Sequence, residues 1–193
     1  ANRYKLAKQA DVLMLFYLFS EDELKRIFKN LNYPFDDNTI PKNAEYYTQR
    51  TSHGSTLSNI VHAAVTARYD KTNSWEQFYK ALESDIADVQ GGTTPEGIHL
   101  GAMSGTVDLV QRCYTGLEIR EEVLFFDPRM PEQLGSIDLS VRYRGLWLDL
   151  TVTSNKLFIS PRDGDHHEPV KIGVRDKIYY LKPGYRREFS LIR

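Results

Sequence analysis

The hydrophobic rhythm of the chain changes once, at Gly116, and that change limits what the chain can fold into. Before it, apolar residues recur three and four apart, as in Leu57, Ile60, Val61, Ala64 and Val65. After it they alternate, as in Ser136-Ile137-Asp138-Leu139-Ser140-Val141-Arg142-Tyr143. Spacing of three and four lines up one stripe of a helix, whereas spacing of two lines up one face of a strand. The sequence therefore predicts mixed α and β structure in two segments, helical over residues 1–117 and strand-rich over 118–193. Gly116 falls where the last helix should end, at the position after a helix that favours a left-handed backbone.

Six helices are expected in the first segment. The first covers about residues 5–19, and its run of Leu13, Met14, Leu15, Phe16, Leu18 and Phe19 predicts burial nearly all round. Ser20 opens the second, with Glu23 at capping-box spacing, and the helix runs to about Asn30. The third covers about 41–47, with Thr39 as cap and Pro41 in its first turn. The fourth covers 57–69. The fifth covers 74–89, capped by Ser74, with Trp75, Phe78, Tyr79, Leu82, Ile86 and Val89 on one face. The sixth carries Gly101 and Gly105, four apart, which predicts close approach of another helix or a ligand. Cys113 is the single cysteine, which excludes an internal disulfide, and its neighbours predict an inert core thiol.

Strands are expected at 123–126, 136–143, 146–153, 156–160, 170–174, 177–181 and 187–192. Arg144-Gly145 reads as a hairpin turn and Gly184 as the last turn. A small antiparallel β-sandwich fits this pattern. His166 and His167 lack a partner at helical spacing and read as part of a solvated loop rather than as metal ligands.

The chemistry concentrates in Arg50-Thr51-Ser52-His53-Gly54-Ser55-Thr56-Leu57-Ser58, a polar loop entering the fourth helix. A helix N-terminus presents unpaired N–H groups and the positive end of the dipole. Hydroxyls, His53 and a glycine that admits close backbone approach suit a phosphate or sulfate oxygen there. The same Ser55, Thr56 or Ser58 hydroxyls would also serve as an ordinary cap. Lys8 and Gln9 stand out as polar residues at the head of an apolar helix; Lys8 reads either as a snorkelling surface residue or as a ligand-facing cation. Glu96 and His99 lie where a Gly-rich loop becomes the sixth helix, and they either bind a polar ligand or complete the first turn.

Three stretches in this order carry a resemblance. They are Lys8-Gln9-Ala10-Asp11-Val12-Leu13, then residues 51–58, then Gly91-Gly92-Thr93-Thr94-Pro95-Glu96-Gly97-Ile98-His99-Leu100-Gly101-Ala102-Met103. The chain resembles the C-terminal part of glycoside hydrolase family 65, which contains maltose, trehalose and kojibiose phosphorylases. The resemblance implies the terminal helices of an (α/α)6 barrel followed by a small C-terminal β-sandwich. It implies that Lys8 and Gln9 bind the sugar, that His53, Gly54, Ser55 and Thr56 bind phosphate, and that Arg50, Ser52, Glu96 and His99 are secondary candidates. The family's general acid would lie upstream of Lys8, so the chain alone is expected not to turn over.

The implied reaction is phosphorolysis of an α-glucoside disaccharide with inversion, giving a β-sugar 1-phosphate. Phosphate is then a co-substrate, with no metal or organic cofactor. A hydrolase of the same family is the alternative, but it needs a carboxylate base where phosphate would sit, and the sequence has no Asp or Glu between Arg50 and Asp70. A non-catalytic carbohydrate-binding fragment is a third reading. The expected partners are a disaccharide, phosphate, the N-terminal remainder of the enzyme and a second copy in a homodimer. A net charge of −1 gives no general attraction to nucleic acid or to an acidic membrane. The apolar run over 12–19 is too short to span a bilayer, so a cytoplasmic protein is expected, as a processed chain or a piece of a longer one.

Overall fold

The structure, a computed structural model, describes residues 6–88, 91, 95, 97–164, 168–175 and 177–192. It divides into two compact units, Ala1–Leu109 and Val110–Arg193.

The described part of the first unit holds α1 (Met14–Leu18), α2 (Glu21–Asn30), α3 (Thr39–Thr48), α4 (Leu57–Thr66), α5 (Lys71–Leu82) and α6 (Leu100–Asp108). Helix α4 is its axis. It carries no charged residue, and every position from Ser58 to Thr66 is buried. Val61 and Val65 join Leu13, Phe16, Leu24 and Ile40 in one core. Helix α5 docks through Ser74, whose buried hydroxyl donates to the Ala63 carbonyl at 2.7 Å. Helix α6 docks through Gly105, where an added Cβ would lie 2.9 Å from Ile60 Cγ2. Just past α4, the Arg68 guanidinium donates to the Phe16 and Phe19 carbonyls at 2.6 and 2.9 Å, satisfying acceptors that the end of α1 leaves open.

Local signals are realised unevenly. The Ser20–Glu23 capping box forms in both directions. The first helix is much shorter than expected, because Ala7 and Lys8 pair with a distant loop, and it is not buried all round: Val12 and Leu18 are exposed. Thr39 lies inside α3 rather than capping it, and its hydroxyl bonds with Asp36 instead. Asp70, not Ser74, caps α5 by accepting from the Asn73 N–H. That helix stops at Leu82, and among the described residues of the expected stripe only Phe78 is buried, while Tyr79, Leu82 and Ile86 are exposed. Helix α4 ends at Thr66 rather than at 69. Gly101 faces open space, so of the two glycines only Gly105 serves a close helix contact. Val89, Gln90, Gly92, Thr93, Thr94, His166 and His167 lie outside the described residues.

Helix α6 runs on into a π-helix, Leu109–Tyr114, where Cys113 is half-buried rather than buried. The described part of the second unit carries eight strands: β1 (Glu118–Arg120), β2 (Val123–Phe126), β3 (Ser136–Tyr143), β4 (Leu146–Thr153), β5 (Lys156–Pro161), β6 (Val170–Val174), β7 (Lys177–Leu181) and β8 (Arg187–Ser190). They form two four-stranded sheets, ordered β1-β2-β6-β7 and β3-β4-β5-β8. Gly116 has φ +62° and packs so tightly that a Cβ would fall 2.1 Å from the Asp127 carbonyl oxygen. Arg144 and Gly145, at φ +48° and +86°, turn the β3–β4 hairpin as the primed turn requires. The all-antiparallel expectation fails at one pair: β2 and β6 run parallel. The chain leaves β2, builds β3–β5 in the other sheet, and returns in the same direction, which a tight hairpin cannot do. The short strand β1 was not anticipated, since three residues carry too little alternation to read.

Gly105→Ala should destabilise the protein by about 1–3 kcal/mol through overpacking against Ile60. Gly101→Ala should be neutral or stabilising by up to ~1 kcal/mol through helix propensity alone. Urea unfolding followed by far-ultraviolet circular dichroism checks the pair, and equal effects would contradict the described α4–α6 contact.

Candidate functional site

The loop between α3 and α4 is held open by a strand-like clasp. The Ala7 N–H donates to the Arg50 carbonyl at 2.9 Å, the Ser52 N–H donates to the Ala7 carbonyl at 2.9 Å, and the Gly54 N–H donates to the Lys8 carbonyl at 3.0 Å. The Ser52 hydroxyl donates to the same Lys8 carbonyl at 3.3 Å. These bonds take up the backbone groups that a helix at 6–9 would have used, which is why that helix does not form there. They also bring two sequence motifs together that lie more than forty residues apart (Lys8 to Ser52, |i−j| = 44). A Cβ on Gly54 would lie 3.1 Å from Lys8 Cγ and 3.4 Å from Lys8 Cε, so the glycine lets the lysine stem lie across the loop. Lys8, Gln9, Ser52 and Gly54 are exposed.

His53 adopts a left-handed backbone, φ +49°, which is uncommon for a residue with a side chain. Its half-buried ring stands 5.0 Å from the His62 ring at 49°. Burial, and then the charge of Lys80, hold the His53 imidazole below its ordinary pKa. His62 is 1 % exposed and meets the Thr48 hydroxyl through Nδ1 at 3.0 Å. Burial first, and the neighbouring His53 second, push its pKa down to about 4. Two imidazoles close together in a low-dielectric site are kept neutral at pH 7.

The N-terminus of α4 follows at once. Ser55 accepts from the Leu57 N–H through Oγ at 3.3 Å and from the Ser58 N–H through its carbonyl at 3.0 Å. Thr56 occupies the N-cap position and is buried, but its side chain makes no cap bond. The capping part of the loop's chemistry therefore rests on Ser55. Arg50 is turned back onto α3: its guanidinium carbon sits 3.7 Å over the Tyr46 ring, and Nη1 donates to the Tyr46 carbonyl at 2.8 Å.

A second polar pair stands at the start of α6. His99 is its N-cap residue, and the His99 N–H donates to Asp85 Oδ2 at 2.9 Å while Nδ1 lies 2.5 Å from Asp85 Oδ1. That bond holds the Asp85 carboxyl below its usual range. Glu96 lies outside the described residues. Sequence reasoning missed Asp85 and Lys80. No local pattern links either to the residue it serves, since each sits on another element and becomes relevant only in the fold. Among the described residues no group of three or more His, Cys, Asp or Glu side chains could hold a metal ion, and no helix is long and apolar enough to cross a membrane.

Residues 1–108 match the family model described as the glycosyl hydrolase family 65 central catalytic domain. Residues 117–181 match the glycosyl hydrolase family 65 C-terminal domain. An uncharacterised glycosyl hydrolase of Mycobacterium tuberculosis is 46% identical over 100% of this chain and 14% of its own length. Trehalose 6-phosphate phosphorylase of Lactococcus lactis is 31% identical over 98% of this chain and 24% of its own. Kojibiose phosphorylase of Caldanaerobacter subterraneus is 34% identical over 90% and 21%. A solved structure from the human microbiome, assigned as a kojibiose phosphorylase, superposes with a TM-score of 0.77 at 22% identity, over 96% of this chain and 23% of its own. The chain thus spans about a seventh to a quarter of the length of the relatives it matches.

The buried imidazoles make stability depend on pH in a stated direction. Below pH 6.5 the unfolded chain binds a proton that folded His62 refuses until about pH 4, so stability is lost as pH falls through that window. The loss attributable to His62 is up to about 3 kcal/mol, at ~1.4 kcal/mol per tenfold. Urea melts at pH 7 and pH 4.5 should show a drop in the wild type and a smaller drop in His62→Phe.

Proposed function

The chain belongs to glycosyl hydrolase family 65, and from that premise we propose that it is the sugar- and phosphate-binding portion of an inverting α-glucoside disaccharide phosphorylase. The clasp between residues 7–8 and 50–54 carries the reading, because it sets Lys8, the residue before Gln9, beside the loop that enters α4. Lys8 and Gln9 bind the sugar. His53, Gly54, Ser55 and Thr56 hold inorganic phosphate at the positive end of α4, with Ser52 and His99 as further contacts. Arg50 acts indirectly, by bracing the loop against Tyr46.

In the complete enzyme a carboxylic acid from outside this chain protonates the glycosidic oxygen. The C1–O bond breaks, and a phosphate oxygen bonds to C1 from the opposite face, so an α-glucoside gives a β-sugar 1-phosphate. The loop residues orient the phosphate and offset its charge without reorganising during the reaction. No metal or organic cofactor is required. In this reading the helical unit forms the terminal helices of an (α/α)6 barrel and the two sheets form a C-terminal β-sandwich. The remainder of the barrel is its partner, a homodimer and the cytoplasm are its setting, and this chain by itself has no turnover. Phosphorolysis is preferred over hydrolysis because no carboxylate lies between Arg50 and Asp70 to activate water at the phosphate position.

The complete enzyme should cleave one of trehalose, trehalose 6-phosphate or kojibiose only when phosphate is present, releasing a β-sugar 1-phosphate. His53→Ala should raise the phosphate KM by about tenfold or more, the weight of one charge-assisted hydrogen bond. Lys8→Ala should impair disaccharide use instead. Cleavage at full rate without phosphate would establish a hydrolase and overturn the proposal.

A further inference from the structure

His62 takes no role in the reading above, yet it links every element around the loop. It projects from the middle of α4, meets Thr48 at the last residue of α3, and stands tilted beside the His53 ring in the loop between those helices. Its Nε2 is buried and meets no hydrogen-bond partner among the described residues. The same holds for Ser58 Oγ, one helical turn earlier on the same face. Buried polar atoms without partners are destabilising, and an apolar side chain of similar size at either place would avoid that penalty. Stability alone therefore does not account for a histidine at position 62.

We propose that His62 is a positioning residue for phosphate: its ring, anchored on the Thr48 hydroxyl, sets the orientation of the His53 imidazole toward the anion in the loop. His53 needs such support. Its backbone is left-handed and its ring half-buried, and the neighbouring His62 ring restricts the rotamers it can take. His62 supplies an immobile aromatic wall at 5.0 Å. The Thr48 bond matters because it stops that wall from rotating about the α4 side-chain torsions. Burial keeps the ring neutral, so it carries no charge of its own into the site. His62 acts through His53 and does not itself touch the phosphate.

The inference rests on the assignment of His53 to phosphate, and the test separates the two. His62→Phe keeps the ring but loses the Thr48 bond, and Thr48→Val removes the same bond from the other side. In the complete enzyme each should raise the phosphate KM about three- to tenfold, the usual weight of one neutral hydrogen bond, with the disaccharide KM within about twofold. The double variant should be no worse than the poorer single, because both remove one link. An unchanged phosphate KM in Thr48→Val overturns the proposal, whatever happens to the melting temperature, and that variant serves alone if His62→Phe does not fold. A silent His53→Ala would instead overturn the assignment of the loop to phosphate. A responsive His53→Ala with silent Thr48→Val would remove only the role of His62.

Discussion

Three backbone hydrogen bonds between residues 7–8 and 50–54 decide the character of this protein. Two of them make a parallel bridge between Ala7 and Thr51 inside an otherwise helical unit, and they form at the cost of a first helix that the apolar pattern favours. In exchange, the backbone of the loop is paired on one side while the hydroxyls and the His53 ring stay at the entrance to α4. A polar loop without such pairing would have satisfied its N–H groups with its own side chains. Here part of the pairing is done by a distant segment, while the Ser52 hydroxyl returns to the Lys8 carbonyl and Ser55 accepts from the Leu57 N–H.

Helix α4 is the second constraint. It is buried from its second residue to its last, so its polar side chains must find partners inside the unit or remain unsatisfied. Thr66 returns its hydroxyl to the His62 carbonyl at 2.7 Å, whereas His62 reaches across to Thr48. The neutral imidazole pair follows from that burial. Positive charge near the loop comes from Arg50, turned onto Tyr46, from Lys8, with its stem across Gly54, and from Lys80, whose field reaches His53. Both lysines are exposed, so their charge costs little desolvation and is screened by salt.

The second unit follows a different logic. Alternation along β3, β4 and β5 buries one face of each strand, and the outward face carries a polar row. Arg162 donates to both Asp149 oxygens at 2.8 and 2.6 Å, and Ser140 donates to Asp149 Oδ1 at 2.6 Å. The guanidinium and the hydroxyl hold the Asp149 carboxyl down to about 2. This network is exposed and adds specificity of strand register more than stability. Nothing in it resembles the chemistry of the loop before α4.

The sequence by itself determined the division into helices and strands, the Ser20–Glu23 capping box, the primed turn at Arg144-Gly145, the left-handed Gly116 and the chemical type of the loop at 50–58. Each depends on residues within a few positions of one another, where spacing and backbone preference act directly. Only the folded chain shows that Ala7 and Lys8 pair with a loop rather than coil, that Arg50 turns to Tyr46, that Asp85 holds His99, and that β2 and β6 run parallel. Those outcomes depend on partners more than ten residues away, or on the direction in which a strand returns from another sheet. Even Arg50 and Tyr46, four apart, were free to go either way until the clasp fixed the backbone between α3 and α4. Local pattern states what a segment can form; which of its groups face a ligand is decided only when a distant segment has taken the others.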